Sequence, residues 1–327
     1  MESAELEGRF EDVYPKLQNL FSRMVDKRIL LSMAGVYAFG DRPYGGQRLM
    51  EISDMLKRHS GWFSPVRGQI HPMIAVLLDG QEGDPETVVR DLFDKQDMLR
   101  GLGFRNTIHS YLAAILIPDD EAEARRQAIA GKLLYDEMKR RHRFLTSDDD
   151  YAFAVLLGTE GRNPEALAGV MNDYYKELRS LGFRAGNELQ WMSQALTYGN
   201  AEFIQGRAEE AAELRDRFKR AGMKLKPLHY PMLGFLAAFH VEQPAVDRIV
   251  DVTRSLAGMK LFRWYREMAF SFGIQAVLKE AAGAERAVDI GMAASIEQIL
   301  RAQQAAMAAS VAASAAAASS SGGNGGS

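Results

Sequence analysis

The chain contains no cysteine, which removes disulfides, thiolate metal sites and cysteine nucleophiles together and fits a reducing compartment. It also lacks a long apolar run: the stretch from Ile29 to Phe39 is too short to span a bilayer and is broken by Gly35. The acidic start, Met1-Glu2-Ser3-Ala4-Glu5, has no basic segment leading into an apolar one, so a cytoplasmic protein with no membrane partner is expected. No GxxxxGK(S/T) loop and no GxSxG elbow occurs, and the six histidines include no HExxH pair. No cofactor is therefore expected. An excess of one charge is missing too: the net charge of -3 predicts neither nucleic acid nor an anionic surface as partner, so local patches must decide.

What is present is size and repetition. With 327 residues and 47% apolar content, the chain can bury roughly three quarters of its unfolded surface without staples. A glycine followed by a bulky apolar residue recurs at Gly61-Trp62, Gly103-Phe104, Gly182-Phe183, Gly222-Met223 and Gly258-Met259, with Arg143-Phe144 filling the gap. The bulky residues lie 42, 40, 39, 40 and 36 positions apart, the range of two-helix repeat units.

One copy shows the logic. Asn163-Pro164 offers an N-cap followed by a proline that loses no hydrogen bond at the first helical position. Leu167, Val170, Met171, Tyr174, Leu178 and Leu181 then follow helical spacing. Gly182 stands where a left-handed residue would end the helix, and Phe183 would fold back onto Leu178. The same offset pairs Leu99 with Phe104 and Phe218 with Met223. A second helix per unit carries a small residue in register, at Ala75, Ala113, Ala154, Ser193, Gly234 and Ala269, which would let helices approach closely. Proline starts recur in alternate units at Asp84-Pro85, Asn163-Pro164 and Gln243-Pro244.

The pattern predicts an all-α chain, an α-α superhelix (solenoid): a right-handed stack of about six helical hairpins from roughly Glu51 to Glu280. Residues 1–46 are expected to form lead-in helices, with the loop Gly40 to Gly46 separating them from a repeat domain over residues 47–301. Residues 302–327, mostly alanine, serine and glycine, are expected to form a low-complexity tail that ends in flexible coil.

At Leu178 to Leu196 (LRSLGFRAGNELQWMSQAL), and in the alanine and serine tail after Gln303, the chain resembles a bacterial family of unknown function, the domain-of-unknown-function family four thousand and three. The resemblance covers nearly the whole chain. It implies helical content and a cytoplasmic bacterial setting, and it transfers no catalytic residue.

Several clusters invite chemistry. Arg105, Arg184, Lys224 and Lys260 each follow a bulky anchor, and in a regular stack they would form a basic column suited to an acidic peptide or phosphate-bearing partner. The plainer reading is that cations beyond a helix C-terminus complement its dipole. Lys139-Arg140-Arg141-His142-Arg143 reads as a solvated helix end, since no nucleic-acid module accompanies it. Asp119, Asp120 and Glu123 match the DDxx(D/E) pattern with which terpene synthases hold magnesium and a diphosphate. They follow Pro118, however, where acidic residues suit a first helical turn, and Asn172-Asp173 is followed by Lys176 where a serine ligand is expected. His71 and His109 hold equivalent positions in neighbouring units and could meet in a two-histidine site or simply be packed. Asp148-Asp149-Asp150 reads as capping and first-turn charge.

Together these readings point to a non-catalytic helical-repeat scaffold for a protein or peptide, with Arg105, Arg184, Lys224 and Lys260 as candidate partner-binding residues. The alternative is an all-α enzyme or small-molecule binding protein using Asp119, Asp120 and Glu123. No metal site, nucleic-acid partner or particular oligomeric state is expected from the sequence.

Overall fold

The computed structural model describes residues 3–21, 25–40, 43–158 and 163–281; the predicted tail at residues 302–327 lies outside them. Among the described residues the chain is all-helical, with fourteen α-helices joined as seven hairpins. These pair α1 (Ser3–Phe21) with α2 (Lys27–Phe39), α3 (Gly46–His59) with α4 (His71–Asp79), and α5 (Pro85–Gly101) with α6 (Ile108–Ile115). The next are α7 (Glu121–Arg141) with α8 (Tyr151–Leu157), and α9 (Pro164–Ser180) with α10 (Asn187–Leu196). The last are α11 (Arg207–Arg220) with α12 (Tyr230–Ala238), and α13 (Gln243–Gly258) with α14 (Arg266–Ala281).

The two helices of a hairpin differ in how much of their surface they bury. Odd-numbered helices are amphipathic, burying stripes such as Val246, Ile249, Val250, Val252, Thr253 and Leu256 of α13. Even-numbered helices are buried over most of their surface: every residue of α4 and of α8 is buried. They form an inner layer between the outer helices and the centre. There Phe153 of α8 stacks on both Trp191 of α10 and Phe235 of α12, with ring centroids 6.4 and 6.1 Å away.

The local cap chemistry follows the expectation in three units. Gly103, Gly182 and Gly222 have φ of +95°, +84° and +84°. Phe104, Phe183 and Met223 donate their N–H groups to the carbonyls of Leu99, Leu178 and Phe218 at 3.1, 3.1 and 2.9 Å, the six-to-one bond of a Schellman ending. Gly182→Ala should lower stability by about 1–2 kcal/mol because alanine pays for the left-handed conformation. Gly258→Ala should be neutral or slightly stabilising, since Gly258 lies within α13 and a Cβ there meets nothing within 4 Å. Urea unfolding of both variants checks the cap; equal midpoints would remove it.

Three predicted anchors behave differently. Trp62 and Phe144 are 81% and 99% exposed, and Met259 is half-buried beyond a glycine that is not left-handed. After α3 the chain turns extended at Ser60 and enters a short 3-10 turn at Pro65–Arg67, which carries Trp62 outward. At the gap, Arg143 cannot take the left-handed conformation cheaply, so no fold-back forms there.

The small-residue register holds. Ala75, Ala113, Ala154, Ser193, Gly234 and Ala269 are all buried, and a Cβ on Gly234 would come within 2.8 Å of the Met192 carbonyl oxygen. Proline-led starts also hold: Asp84 accepts from Glu86 N and Thr87 N, and Asn163 accepts from Glu165 N and Ala166 N.

The largest departure is the fate of the expected lead-in. α1 and α2 are a hairpin like the others, beginning a circuit that closes on itself rather than an open stack. α1 packs along α13, and Phe10 meets Phe262 and Phe272 with ring centroids 5.3 and 5.0 Å apart. The Arg28 guanidinium lies 5.3 Å from the Tyr265 ring centroid, and Lys279 Nζ donates to the Phe39 carbonyl at 2.8 Å. Gly35 of α2 is where the Phe272 ring of α14 sits, leaving no room for a Cβ. Gly35 stands 40 residues before Ala75, so the register already contained this seventh hairpin. α3 begins at Gly46 rather than near Glu51.

Candidate functional site

Each hairpin contributes one outer-to-inner loop, and these loops gather at one end of the circuit. Ser64 meets Tyr111 Oη at 3.5 Å, the Arg105 N–H donates to Tyr151 Oη at 3.2 Å, and Gln190 Nε2 donates to Thr146 Oγ1 at 3.1 Å. The Arg184 N–H reaches Tyr230 Oη at 3.4 Å, Lys226 pairs with Glu267 at 3.7 Å, and Tyr265 receives Arg28. A chain of contacts from each loop to the inner helix of the next hairpin thus links the second hairpin through the seventh to the first along a single rim.

This rim is basic. The segments 57–71, 100–107, 139–150, 179–188, 217–230 and 254–267 hold 20 of the 40 lysines and arginines and only 5 acidic residues. The inner-to-outer connections form the opposite rim, where segments 79–86, 116–123, 197–210 and 239–247 hold 13 acidic residues and one arginine. The near-neutral total conceals a molecule with two oppositely charged ends. Part of the asymmetry is helix-dipole complementation, because the outer helices end at the basic rim and begin at the acidic one.

The four predicted partner-binding residues, Arg105, Arg184, Lys224 and Lys260, are all exposed on the basic rim. Arg105 pairs with Asp148 at 3.4 Å. Arg184, Lys224 and Lys260 form no ion pair among the described residues, nor does Arg143 of the same rim. Interleaved with these cations are Trp62, Phe63, Phe144 and Trp264, respectively 81%, 95%, 99% and 77% exposed. The bulky residues pass for anchors in the sequence, where the visible signal of an exposed ring is at Phe144 alone, which follows Arg143 rather than a glycine.

The acidic pattern at Asp119, Asp120 and Glu123 lies on the opposite rim. Asp120 caps α7 by accepting from Glu123 N at 2.8 Å, and Asp119 pairs with Lys95 at 2.6 Å. Asp173 and Lys176 are exposed on the outer helix α9 and pair with each other at 3.5 Å. At the starts of α3 and α5, an open surface depression of about 530 Å³ is lined by Gly45, Gly46, Gln47, Arg48, Glu51 and Pro85.

His71 and His109 are not brought together. His71 turns toward its own hairpin, its Nε2 2.9 Å from Ser53 Oγ and its Nδ1 3.1 Å from the Val66 carbonyl. Burial holds it below the usual histidine range, so it is a neutral packed ring. His109 faces the next hairpin: burial lowers its pKa, opposed by Asp149 and Asp148.

Asp150 is the least expected group. Ser147 and Asp150 do cap a helical turn, with the Ser147 N–H donating to Oδ2 at 2.9 Å. Yet the carboxyl is wholly buried, and its Oδ1 accepts from Gln190 Nε2, Trp191 Nε1 and Gln194 Nε2 at 3.1, 3.0 and 2.8 Å. Burial and neighbouring Asp149 push its pKa up to about 7, against the lowering effect of these donors. All three side chains come from α10, so Asp150 rivets two hairpins together. Among the described residues no cluster of three histidines, aspartates or glutamates has metal-binding geometry.

A family described as Protein of unknown function (DUF4003) matches residues 13–305. The chain belongs to that family. The match runs from within α1 through α14, and so takes in the closing hairpins as well as the repeats between them. A relative from Bacillus subtilis (strain 168), Uncharacterized protein YeaA, is 27% identical over 283 residues, covering 85% of each chain. No solved structure matches.

Proposed function

We propose that the protein is a non-catalytic docking scaffold whose basic rim engages an anionic partner. The carrying observation is the segregation of charge, with half of all lysines and arginines gathered at one end of the molecule. The exposed, carboxylate-free Arg184, Lys224 and Lys260 fit a contact face better than they fit internal ion pairing. Helix-dipole complementation needs one or two cations per helix end, fewer than the segment 217–230 supplies with its five lysines and arginines. The terpene-synthase pattern draws no support from the placement of Asp119 and Asp120, which are engaged as ion pair and cap.

Retention on heparin-agarose at physiological salt tests the rim directly. The protein should be held despite its net charge of -3, with retention falling steeply as salt rises. Reversing Arg105, Arg184, Lys224 and Lys260 to glutamate should abolish retention while leaving the melting temperature unchanged, whereas Glu82→Gln with Glu242→Gln on the other rim should not weaken it. Equal elution of all three proteins would refute the assignment.

A further inference from the structure

Dipole complementation accounts for some cations on the basic rim but not for its aromatic residues. The helices bury most of their aromatic rings, with Phe10, Tyr174, Phe183, Phe218, Phe235 and Phe262 at most 2% exposed, and on the opposite rim Phe203 reaches only 38%. Trp62, Phe63, Phe144 and Trp264 project into solvent instead, each in a connection that the packing of the helices does not require to carry a ring.

Their placement decides what could cover them. Trp62 and Phe63 belong to the second hairpin, Phe144 to the fourth and Trp264 to the seventh, so the tips are two, three and two steps apart around a seven-step circuit. A peptide groove needs adjoining apolar walls, and stacking on single-stranded nucleic acid needs aromatics that follow one another along the strand. Separated tips distributed around one rim are touched together only by a broad, flat partner.

Cations flank every tip. Lys57, Arg58 and Arg67 accompany Trp62 and Phe63; Arg141 and Arg143 accompany Phe144; Lys260 and Arg263 accompany Trp264. All seven are exposed, and the Arg263 guanidinium lies 5.2 Å from the Trp264 ring centroid. Tryptophan and phenylalanine favour the boundary between headgroups and acyl chains, and lysine and arginine are drawn to anionic headgroups.

We infer that this rim docks on the surface of an anionic phospholipid bilayer, with Trp62, Phe63, Phe144 and Trp264 seated at the acyl boundary and the flanking cations among the headgroups. The inference rests on the reading of the basic rim as an anion-docking face, and adds that the anion is a lipid layer. Such docking requires no spanning segment, and no described helix is long and apolar enough to cross a membrane.

The test uses the full chain and vesicles of phosphatidylcholine with or without one-third phosphatidylglycerol, read by flotation and tryptophan emission. Trp191 is buried at 4% exposure and supplies a constant background, so any change reports Trp62 and Trp264. Anionic vesicles should float the protein, shift its emission to the blue and quench it when the acyl chains carry bromine near the headgroups, whereas neutral vesicles should do none of these. Replacing all four aromatic residues with alanine should cut partitioning by roughly tenfold or more, while heparin retention and melting temperature stay unchanged. Arg143→Glu with Lys260→Glu should weaken both vesicle and heparin binding.

Heparin retention without vesicle binding would overturn the lipid assignment and leave the anion-docking rim standing. Loss of both would overturn both. Vesicle binding that the aromatic-to-alanine variant retains in full, with unshifted emission, would also overturn the inference, as would saturable capture of polyglutamate or single-stranded RNA by a protein that ignores vesicles.

Discussion

Phe10→Ala should cost about 3–5 kcal/mol of unfolding free energy, the usual cost of emptying a fully buried aromatic site, and the loss should register at both ends of the chain. The side chain is 0% exposed. It sits among Phe39 of its own hairpin and Phe262 and Phe272 of the last, at centroid distances of 6.3, 5.3 and 5.0 Å. In an open stack, damage to a first helix would fray that helix alone. Because the circuit is closed, amide exchange in α13 and α14 should accelerate along with that in α1 and α2. Exchange mapped by mass spectrometry checks this, and acceleration confined to α1 and α2 would mean that the ends are not mechanically joined.

Asp150→Ala should destabilise by a similar amount, about 3–5 kcal/mol, for a different reason: it removes the buried acceptor shared by the Gln190, Trp191 and Gln194 side chains, and each buried hydrogen bond lost this way costs about 1–3 kcal/mol before relaxation. Asp150→Asn should fall between the two, since its carbonyl oxygen can take the α10 donors while its amide confronts the Ser147 N–H. The titration of the native residue adds a second signature. With its folded pKa raised to about 7 from the usual 3.8, the folded state holds a proton that the unfolded state has released. Stability from this group is therefore complete at low pH and declines between about pH 4 and 7, by at most about 1.4 kcal/mol per pH unit. Urea unfolding of wild type and Asp150→Asn across this range isolates it: the difference between the two should shrink as pH rises, and a constant difference would show that Asp150 titrates normally.

What the sequence made legible was whatever is decided within a few residues. The glycine caps at Gly103, Gly182 and Gly222 and the N-caps at Asp84 and Asn163 are local hydrogen-bond arrangements, and each came out as its pattern implied. The small residues of the inner helices were also legible, because close packing repeats with the unit. Closure was not: it depends on contacts such as Ser255 with Glu7 and Lys279 with Phe39, joining positions 248 and 240 residues apart, which no local pattern encodes. Asp150 was read only as a capping residue for the same reason, its donors lying 40 to 44 residues downstream.

The candidate surface was half legible. Arg105, Arg184, Lys224 and Lys260 were visible as a register of cations, but Trp62 and Phe144 were assigned to the core because a bulky residue after a helix end usually folds inward, and Phe63 and Trp264 belong to no repeating pattern. What distinguishes the two directions is whether the preceding residue does take a left-handed conformation, which a glycine permits but does not ensure. Gly182 does; Arg143, and Gly61 with its negative φ, do not.

With cations crowded at one end and carboxylates at the other, the molecule tumbles in solution as an electric dipole. Near a negatively charged plane it feels a torque that turns the correct end forward before any side chain makes contact, so that fewer collisions are wasted. At physiological ionic strength this pull fades beyond about 8 Å. Dilution of salt should therefore quicken capture more than it slows release.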